Sequence, residues 1–381
     1  MQAFYQRLQQ QHKAGLTRQL STLQSDLGPL ITLDNQTLLN FCSNDYLGFS
    51  KHPRLLAAAI EAISAYGLSS GGSAQIIGYH RLHAEAEQTI AQTLQVPYVT
   101  LFANGYLANQ AILQCFGEKT HLFLDKRVHA SILDGAQLSG SPYFRFHHQD
   151  LAHLQRLLVR HPSERPPLIV VEGVYSMDGE IAPLSVLKDI ARAHNALLVV
   201  DDAHGLGVLG PGGKGALLHH GCTMQDVPIY MGTLGKAMGC YGAFIGVRDH
   251  TLHQMIHQFA RSYRYTTALP FHLAAAIQTA FLLLDQEPVH HQQLHANIAV
   301  WKALCLAHQR PSTESAIQMW TTSCTQTALK LGEVLLKAGF LVKAIRPPTV
   351  TQQQTGLRIT LSAFHTPEMI QRLFQTLIEN V

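Results

Sequence analysis

Charge is what this sequence has least of. Asp, Glu, Lys and Arg together make up 14% of its 381 residues, against about 25% in an ordinary soluble chain. Its 28 Lys and Arg exceed its 25 Asp and Glu by three. No long basic run occurs, so nucleic acid is not an expected partner. Cationic side chains are left the task of holding a small anion, which takes one or two well-placed groups rather than a broad field. Nor is there a stretch of about 18 consecutive apolar residues, so no membrane-spanning helix is expected. The six cysteines (Cys42, Cys115, Cys222, Cys240, Cys305 and Cys324) lie far apart without a Cys-x-x-Cys pair, and the opening MQAFYQRLQQQHK has no apolar signal core. Reduced thiols in a cytoplasmic protein are the expectation. Repeats are absent, and the only biased tract is Gln352-Gln353-Gln354.

Gln and 23 histidines stand in for the missing charge. The histidines raise the idea of a metal-binding protein: His291 and His295 are spaced i, i+4, and His147-His148 and His219-His220 are adjacent pairs. No cysteine or carboxylate set with metal-ligand spacing accompanies them, so no metal is expected. For most of them the expected role is polar surface or a satisfied interior group.

The length, at roughly 150 residues per domain, predicts two or three domains. From 97 to 247, the runs YVTLFAN, HLFLD, YFRFHH, PLIVVEG, ALLVVDDA, PIYMGTLG and YGAFIGV read as strands. Helical periodicity separates the earlier ones, as in Leu151, Leu154, Leu157 and Leu158 after the N-cap Asp150. This predicts an α/β fold with a mostly parallel central sheet covered by helices. Beyond about 250, long helices and short strand–helix units follow, ending in a helix opened by Thr366-Pro367 with Ile370, Leu373, Phe374, Leu377, Ile378 and Val381 on one face. The expected organisation is an N-terminal helix and connector over 1–50, a large α/β domain over 51–284, and a small α+β domain over 285–381.

Ligands of open α/β sheets bind at the carboxyl ends of the strands, where this chain turns abruptly polar. GTLGKAMG (232–239) sets Lys236 among small residues, three positions after Thr233. A lysine there is suited to Schiff-base chemistry beside a phosphate, since partial desolvation lowers its pKa. VVDDAHGLG (199–207) puts Asp201 at a strand end, fit to pair with a pyridinium nitrogen, and His204 within reach of a ring hydroxyl. EGVYSMDGE supplies Ser176, and FANGYLANQ supplies the backbone N–H groups of Gly105 and Tyr106 at a helix start, all suited to a phosphate dianion. DKRVHAS places His129 where an imidazole can stack on an aromatic ring. Singly, each segment also reads as an ordinary loop, a capped strand end or a surface histidine.

Together, these groups fall at successive strand ends and match different parts of one cofactor. The chain resembles the α-oxoamine synthases, a family of fold-type I pyridoxal-phosphate enzymes. The resemblance rests on NFCSNDYLGFS (40–50), SSGGSAQIIGYH (69–80), EGVYSMDG, VDDAHGLG, GTLGKA, RYTTALP (264–270) and AIRPPTV (344–350). It implies pyridoxal 5'-phosphate as cofactor and a homodimer with shared active sites. Lys236 would carry the cofactor as a Schiff base, Asp201 would partner the pyridine nitrogen, His204 would contact the ring oxygen and His129 would stack on the ring. Gly105, Tyr106, Ser176 and Thr233 would hold the cofactor, mainly at its phosphate end, with Thr266 or Thr267 reaching the phosphate from the other subunit. Arg18, Asn44, His129, Thr349 and Arg358 fall at substrate-binding positions, with Arg358 and Asn44 at the amino-acid carboxylate.

AIRPPTV points to the branch that condenses L-alanine with a pimeloyl thioester, carried by CoA or acyl carrier protein, with loss of CO2 on the way to biotin. Glycine C-acetyltransferase, 5-aminolevulinate synthase and serine palmitoyltransferase, which share the cofactor residues, are the alternatives. A catalytically inert partner subunit is disfavoured, because Lys236, Asp201, His129 and His204 are all present. Departures from the usual pattern are TQQQTG (351–356) in place of a Pro-Gly turn, Leu206 in place of Thr or Ser, and a short stretch over 304–315. They bear on the acyl-binding entrance and leave every needed chemical group in place.

Overall fold

All seven apolar runs form strands, and together they build one sheet. The structure, a computed structural model, describes residues 1–13, 17, 20–347 and 350–380. Strands β1 (Leu30–Leu33) and β2 (Gln36–Asn40) form a hairpin across Asp34-Asn35, both of which have positive φ, as a two-residue turn requires. The large sheet contains β3 (Tyr98–Phe102), β4 (Leu122–Asp125), β5 (Tyr143–Phe146), β6 (Leu168–Glu172), β7 (Leu197–Asp201), β8 (Ile229–Thr233) and β9 (Ala243–Val247). Its order is β3-β9-β8-β7-β6-β4-β5, and only β9 runs antiparallel to its neighbours.

The unalternating runs are explained by two cores, one on each face of the sheet. Leu198 and Val200 of β7 face one core with Ile169 and Val171 of β6, while Val199 faces the other with Leu168 and Val170. Successive strand residues point to opposite faces, so a strand covered on both sides must be apolar throughout. Each fully buried aliphatic side chain contributes about 1.5–3 kcal/mol relative to exposure. The helices Gly105–Phe116 and Ala130–Ser139 pack on the second face. The helix Leu151–Arg160 buries Leu154 and Leu158, and Asp150 accepts from the His153 N–H at 2.8 Å as its cap.

The C-terminal part adds a sheet of β10 (Ile317–Thr321), β12 (Lys343–Ile345) and β13 (Gly356–Thr360), with β13 in the middle. Strand β11 (Phe340–Leu341) pairs instead with β2, which ties residues 30–40 to the C-terminal unit. The final helix, Pro367–Glu379, buries Ile370, Leu373, Phe374 and Leu377, while Val381 lies outside the described residues. The helix Gln2–Lys13 buries nothing and leaves Phe4, Tyr5 and Leu8 exposed. Among the described residues no helix is long and apolar enough to cross a membrane.

Candidate active site

The sheet register assembles the site. Glu172 at the end of β6 lies directly opposite Asp201 at the end of β7, and Asp201 is in register with Met231 of β8, two residues before Thr233. The loop after β7 lies against the loop carrying Lys236. Gly207 makes this approach possible: it has φ 79°, and a Cβ there would collide with the Cβ of Ala237.

Lys236 heads a hydrogen-bonded series that joins four sequence-predicted residues. Its Nζ is 2.7 Å from His204 Nε2, and His204 Nδ1 is 2.6 Å from the Tyr46 hydroxyl. Tyr46 donates to Asn44 Oδ1 at 3.2 Å, and the same oxygen accepts from Arg358 Nη2 at 3.2 Å. Arg358 also donates to the Ser176 carbonyl at 2.8 Å and to Thr360 Oγ1 at 3.0 Å. Tyr46, fully buried, is the member the sequence reading missed, although it lies inside the quoted NFCSNDYLGFS segment.

A second series ties His129 to Asp201. Asn109 Nδ2 donates to Asp201 Oδ2 at 2.7 Å and to Ser131 Oγ at 2.9 Å, and Ser131 Oγ is 2.8 Å from His129 Nδ1. The Ser131 N–H also points at His129 Nδ1, at 3.3 Å, and an N–H can only donate, so Nδ1 is an acceptor, the serine hydroxyl donates to it, and the ring proton sits on Nε2. Asn109 and Ser131 were also missed, being three residues from Tyr106 and two from His129, the motif residues that carry obvious chemistry. The ring of His129 is exposed, next to the edge-on ring of Tyr106 at 6.4 Å.

The carboxylates at the strand ends are not equivalent. Asp201 accepts from Asn109 and from the Ala203 N–H at 3.0 Å. Asp202 points away from the site, to the Tyr230 hydroxyl at 2.6 Å and the Ala216 N–H at 2.7 Å, and burial raises its pKa to about 7. Glu172 is 2% exposed and its Oε2 accepts from the Ser176 N–H at 3.0 Å, whereas its Oε1 is buried without a partner. Burial, followed by the charge of Asp201, pushes Glu172 well above the usual carboxylate range, so it keeps its proton.

Burial lowers the Lys236 amine to about 8, with the charge of Asp201 opposing and that of Arg358 assisting. At pH 7 that leaves roughly a tenth of the amine unprotonated, whereas an ordinary lysine leaves less than about one part in a thousand. In the apo protein, modification of Lys236 by an amine-directed reagent should therefore rise with pH through a midpoint near 8, read by peptide mass spectrometry. A midpoint near that of exposed lysines would refute this.

The phosphate-end residues also converge. Asn104 caps the helix Gly105–Phe116, taking the N–H of Leu107 on its side chain and that of Ala108 on its carbonyl, and the N–H groups of Gly105 and Tyr106 precede these at the open turn. A Cβ on Gly105 would lie 3.6 Å from Thr233 Oγ1, so the helix start and Thr233 form one cradle. Thr266 and Thr267, expected to reach the phosphate of a second copy, lie apart from the cradle of their own chain. They line a separate cavity with Tyr79, His83 and Glu87, and Thr267 bridges to Ser73. Arg18 and Thr349 lie outside the described residues.

The His291–His295 pair serves hydrogen bonding: both direct Nε2 to the Val208 carbonyl, at 3.1 and 2.7 Å. Among the described residues, two clusters have ligand-like spacing. In His52–Glu287–His290, His52 Nδ1 accepts from the Arg54 N–H, which puts its proton on the Nε2 facing Glu287. In His148–Asp178–Glu180, Arg127 pairs with both carboxylates.

A buried amine with a lowered pKa, an adjacent carboxylate, two imidazoles and a helix-start cradle fit pyridoxal phosphate, and Glu172 Oε1, on the strand beside Asp201, is a buried polar atom without a partner. The profile of the class I and II aminotransferases matches residues 36–377. The 8-amino-7-oxononanoate synthase of Saccharophagus degradans is 41% identical over 91% of this chain and 87% of its own length. That of Marinobacter nauticus is 39% identical over 100% and 96%. Among solved structures, serine palmitoyltransferase from S. paucimobilis with bound PLP superposes with a TM-score of 0.92 at 28% identity, covering 99% of this chain and 96% of that one. The 8-amino-7-oxononanoate synthase from Francisella tularensis gives 0.78 at 30% identity, covering 90% and 97%. The agreement of profile, full-length relatives and site chemistry means that the chain belongs to the class I and II aminotransferase family, among the 8-amino-7-oxononanoate synthases.

Proposed function

We propose that this chain condenses L-alanine with a pimeloyl thioester to give 8-amino-7-oxononanoate, CO2 and the free thiol. The observation that carries this reading is the half-buried, low-pKa Lys236 joined through hydrogen bonds to Arg358 and Asn44. Pyridoxal phosphate, when bound, supplies the electron sink for a carbanion at Cα. Lys236 would hold it, Asp201 and His204 would face its ring, and Thr233 with the Gly105–Tyr106 turn would hold its phosphate. Arg358 and Asn44 bind the alanine carboxylate. Lys236, as free amine, removes the Cα proton. His129 offers its Nε2 proton to the thioester carbonyl during attack, which a positioned acid speeds by about 10²–10⁴. The new Cα–C bond forms as the C–S bond breaks, the proton lent by His129 goes to the departing thiolate as the ketone re-forms, the carboxylate leaves as CO2, and Lys236 returns its proton to Cα.

We further assign the protein to a homodimer. Leu68, Ile76, Ile77 and Tyr265 are exposed on segments that carry or pair with Thr266 and Thr267, and a second copy would cover them. A cytoplasmic setting suits its free cysteines.

The high TM-score to serine palmitoyltransferase keeps one other reading in view, a different amino acid as acceptor. Purified protein loaded with pyridoxal phosphate and given pimeloyl thioester should release thiol with L-alanine at least about tenfold faster than with glycine or L-serine, a difference of roughly 1.4 kcal/mol at the barrier. Faster release with glycine or serine would reassign it.

A further inference from the structure

The series running from Lys236 to Arg358 has a fixed proton direction, and the direction follows from its far end. Arg358 is a cation with five donors and no acceptor. The Asn44 atom it contacts, 3.2 Å from Nη2, must therefore be the amide oxygen, which settles the amide orientation. That oxygen cannot donate, so the Tyr46 hydroxyl at 3.2 Å donates to it. Having given its only proton to Asn44, Tyr46 accepts at 2.6 Å from His204 Nδ1. His204 is then protonated on Nδ1, and its Nε2 carries the lone pair facing Lys236 Nζ at 2.7 Å.

We propose that Tyr46 is a positioning residue that locks His204 as an acceptor at Nε2 and couples this lock to the carboxylate pocket formed by Asn44 and Arg358. The inference rests on the reading of that pocket given above. Every link is buried or half-buried, so water does not replace a missing partner freely, and a fully buried Tyr46 has no competing solvent bond. Burial drives His204 well below its ordinary range, and the positive charges of Lys236 and Arg358 act in the same direction. A neutral ring is therefore the state whose tautomer needs fixing, and Tyr46 fixes it.

The coupling works through Asn44. A carboxylate bound at Arg358 competes for the guanidinium donors that hold the Asn44 oxygen. Asn44 then either follows the carboxylate or turns fully to Tyr46, and either movement is transmitted to the His204 ring through one hydroxyl. Charge neutralisation of Arg358 also acts across space on His204 and Lys236. The hydroxyl route and the field route are separable, because Tyr46→Phe removes only the first.

The test uses the loaded enzyme and propionate, which has the carboxylate and methyl of alanine but no amine to react. The pH midpoint of the visible cofactor absorbance is measured with and without propionate. Wild type should show a midpoint shift with saturating propionate, and Arg358→Ala should show none. In Tyr46→Phe the starting midpoint should be displaced and the propionate shift should fall by half or more, with cofactor stoichiometry unchanged. If Tyr46→Phe keeps both the wild-type midpoint and the wild-type shift, the field alone carries the coupling and the proposal is overturned. It is likewise overturned if wild type shows no shift. Should Tyr46→Phe fail to fold, Asn44→Ala breaks the next link, and an undiminished shift in that variant overturns the coupling. A protein without the cofactor band would instead sink the functional reading itself, and a preference for glycine in the thiol-release assay would change the substrate while leaving the coupling intact.

Discussion

Lys236→Ala is expected to lower turnover on the order of 10⁴-fold or more, because one amine serves both as the covalent attachment and as the base. No other lysine is free to substitute in the described loops around it: Lys214 pairs with Asp285 at 2.8 Å and Lys51 with Asp26. The loss should come without loss of fold. Lys236 has its pKa lowered to about 8 from 10.5, so at neutral pH its burial opposes folding, and stability from this group is gained only as pH rises through that window. Removing the amine takes away that cost, and the melting temperature near pH 7 should stay level or rise. The cofactor should still bind through Asp201, His204 and the phosphate cradle, but sodium borohydride should no longer fix it to the protein. A variant that retains activity or borohydride labelling at another lysine would refute this assignment.

How much of this could be read in the sequence depends on where the information sits. The strands between 97 and 247 were legible because a sheet covered on both faces forces unbroken apolar runs, and their ends were legible because charge appears there abruptly. Lys236, Asp201, His204 and Asn44 stood out through the motifs around them. Tyr46, Asn109 and Ser131 did not, since each acts through another side chain, and a buried hydroxyl or amide looks the same in sequence whether it fills space or orients a ring. Only the contact of Asn44 with Arg358, 314 positions apart in sequence, reveals the role of Tyr46. The pairing of β2 with β11 was hidden for the same reason: three hundred residues separate the partners.

The two neighbouring carboxyls also clarify why the acid pair at 201–202 is not a pair in function. Alternation along the end of β7 turns Asp201 to the site and Asp202 to Tyr230, so adjacency in sequence becomes opposition in space. The functional neighbour of Asp201 is Glu172, across the strands. Two carboxyls that close in a buried site do not both ionise readily, and the observed donors favour charge on Asp201.

Asp201→Asn and Glu172→Gln should therefore have very different effects, although both are near-isosteric removals of one charge. In Asp201→Asn the new amide keeps the shape, but its NH2 must face either the Asn109 NH2 or the Ala203 N–H, so one donor meets another at 2.7 or 3.0 Å. That mismatch costs about 1–3 kcal/mol of stability, while loss of the carboxylate that would keep the pyridine nitrogen of the bound cofactor protonated weakens the electron sink and should cost on the order of 10³-fold in turnover. The same charge raises the Lys236 pKa, so the modification midpoint of the lysine in the apo protein should fall below about 8. Glu172→Gln replaces a group that already holds its proton, keeps an acceptor for the Ser176 N–H, and should change turnover by less than about tenfold, under 1.4 kcal/mol. Steady-state rates and the lysine midpoint, measured on both variants, decide where the charge resides. Should Glu172→Gln prove the more damaging, the ionised partner of Lys236 is Glu172, and the protonation order at the two strand ends is the reverse of the one derived from their donors.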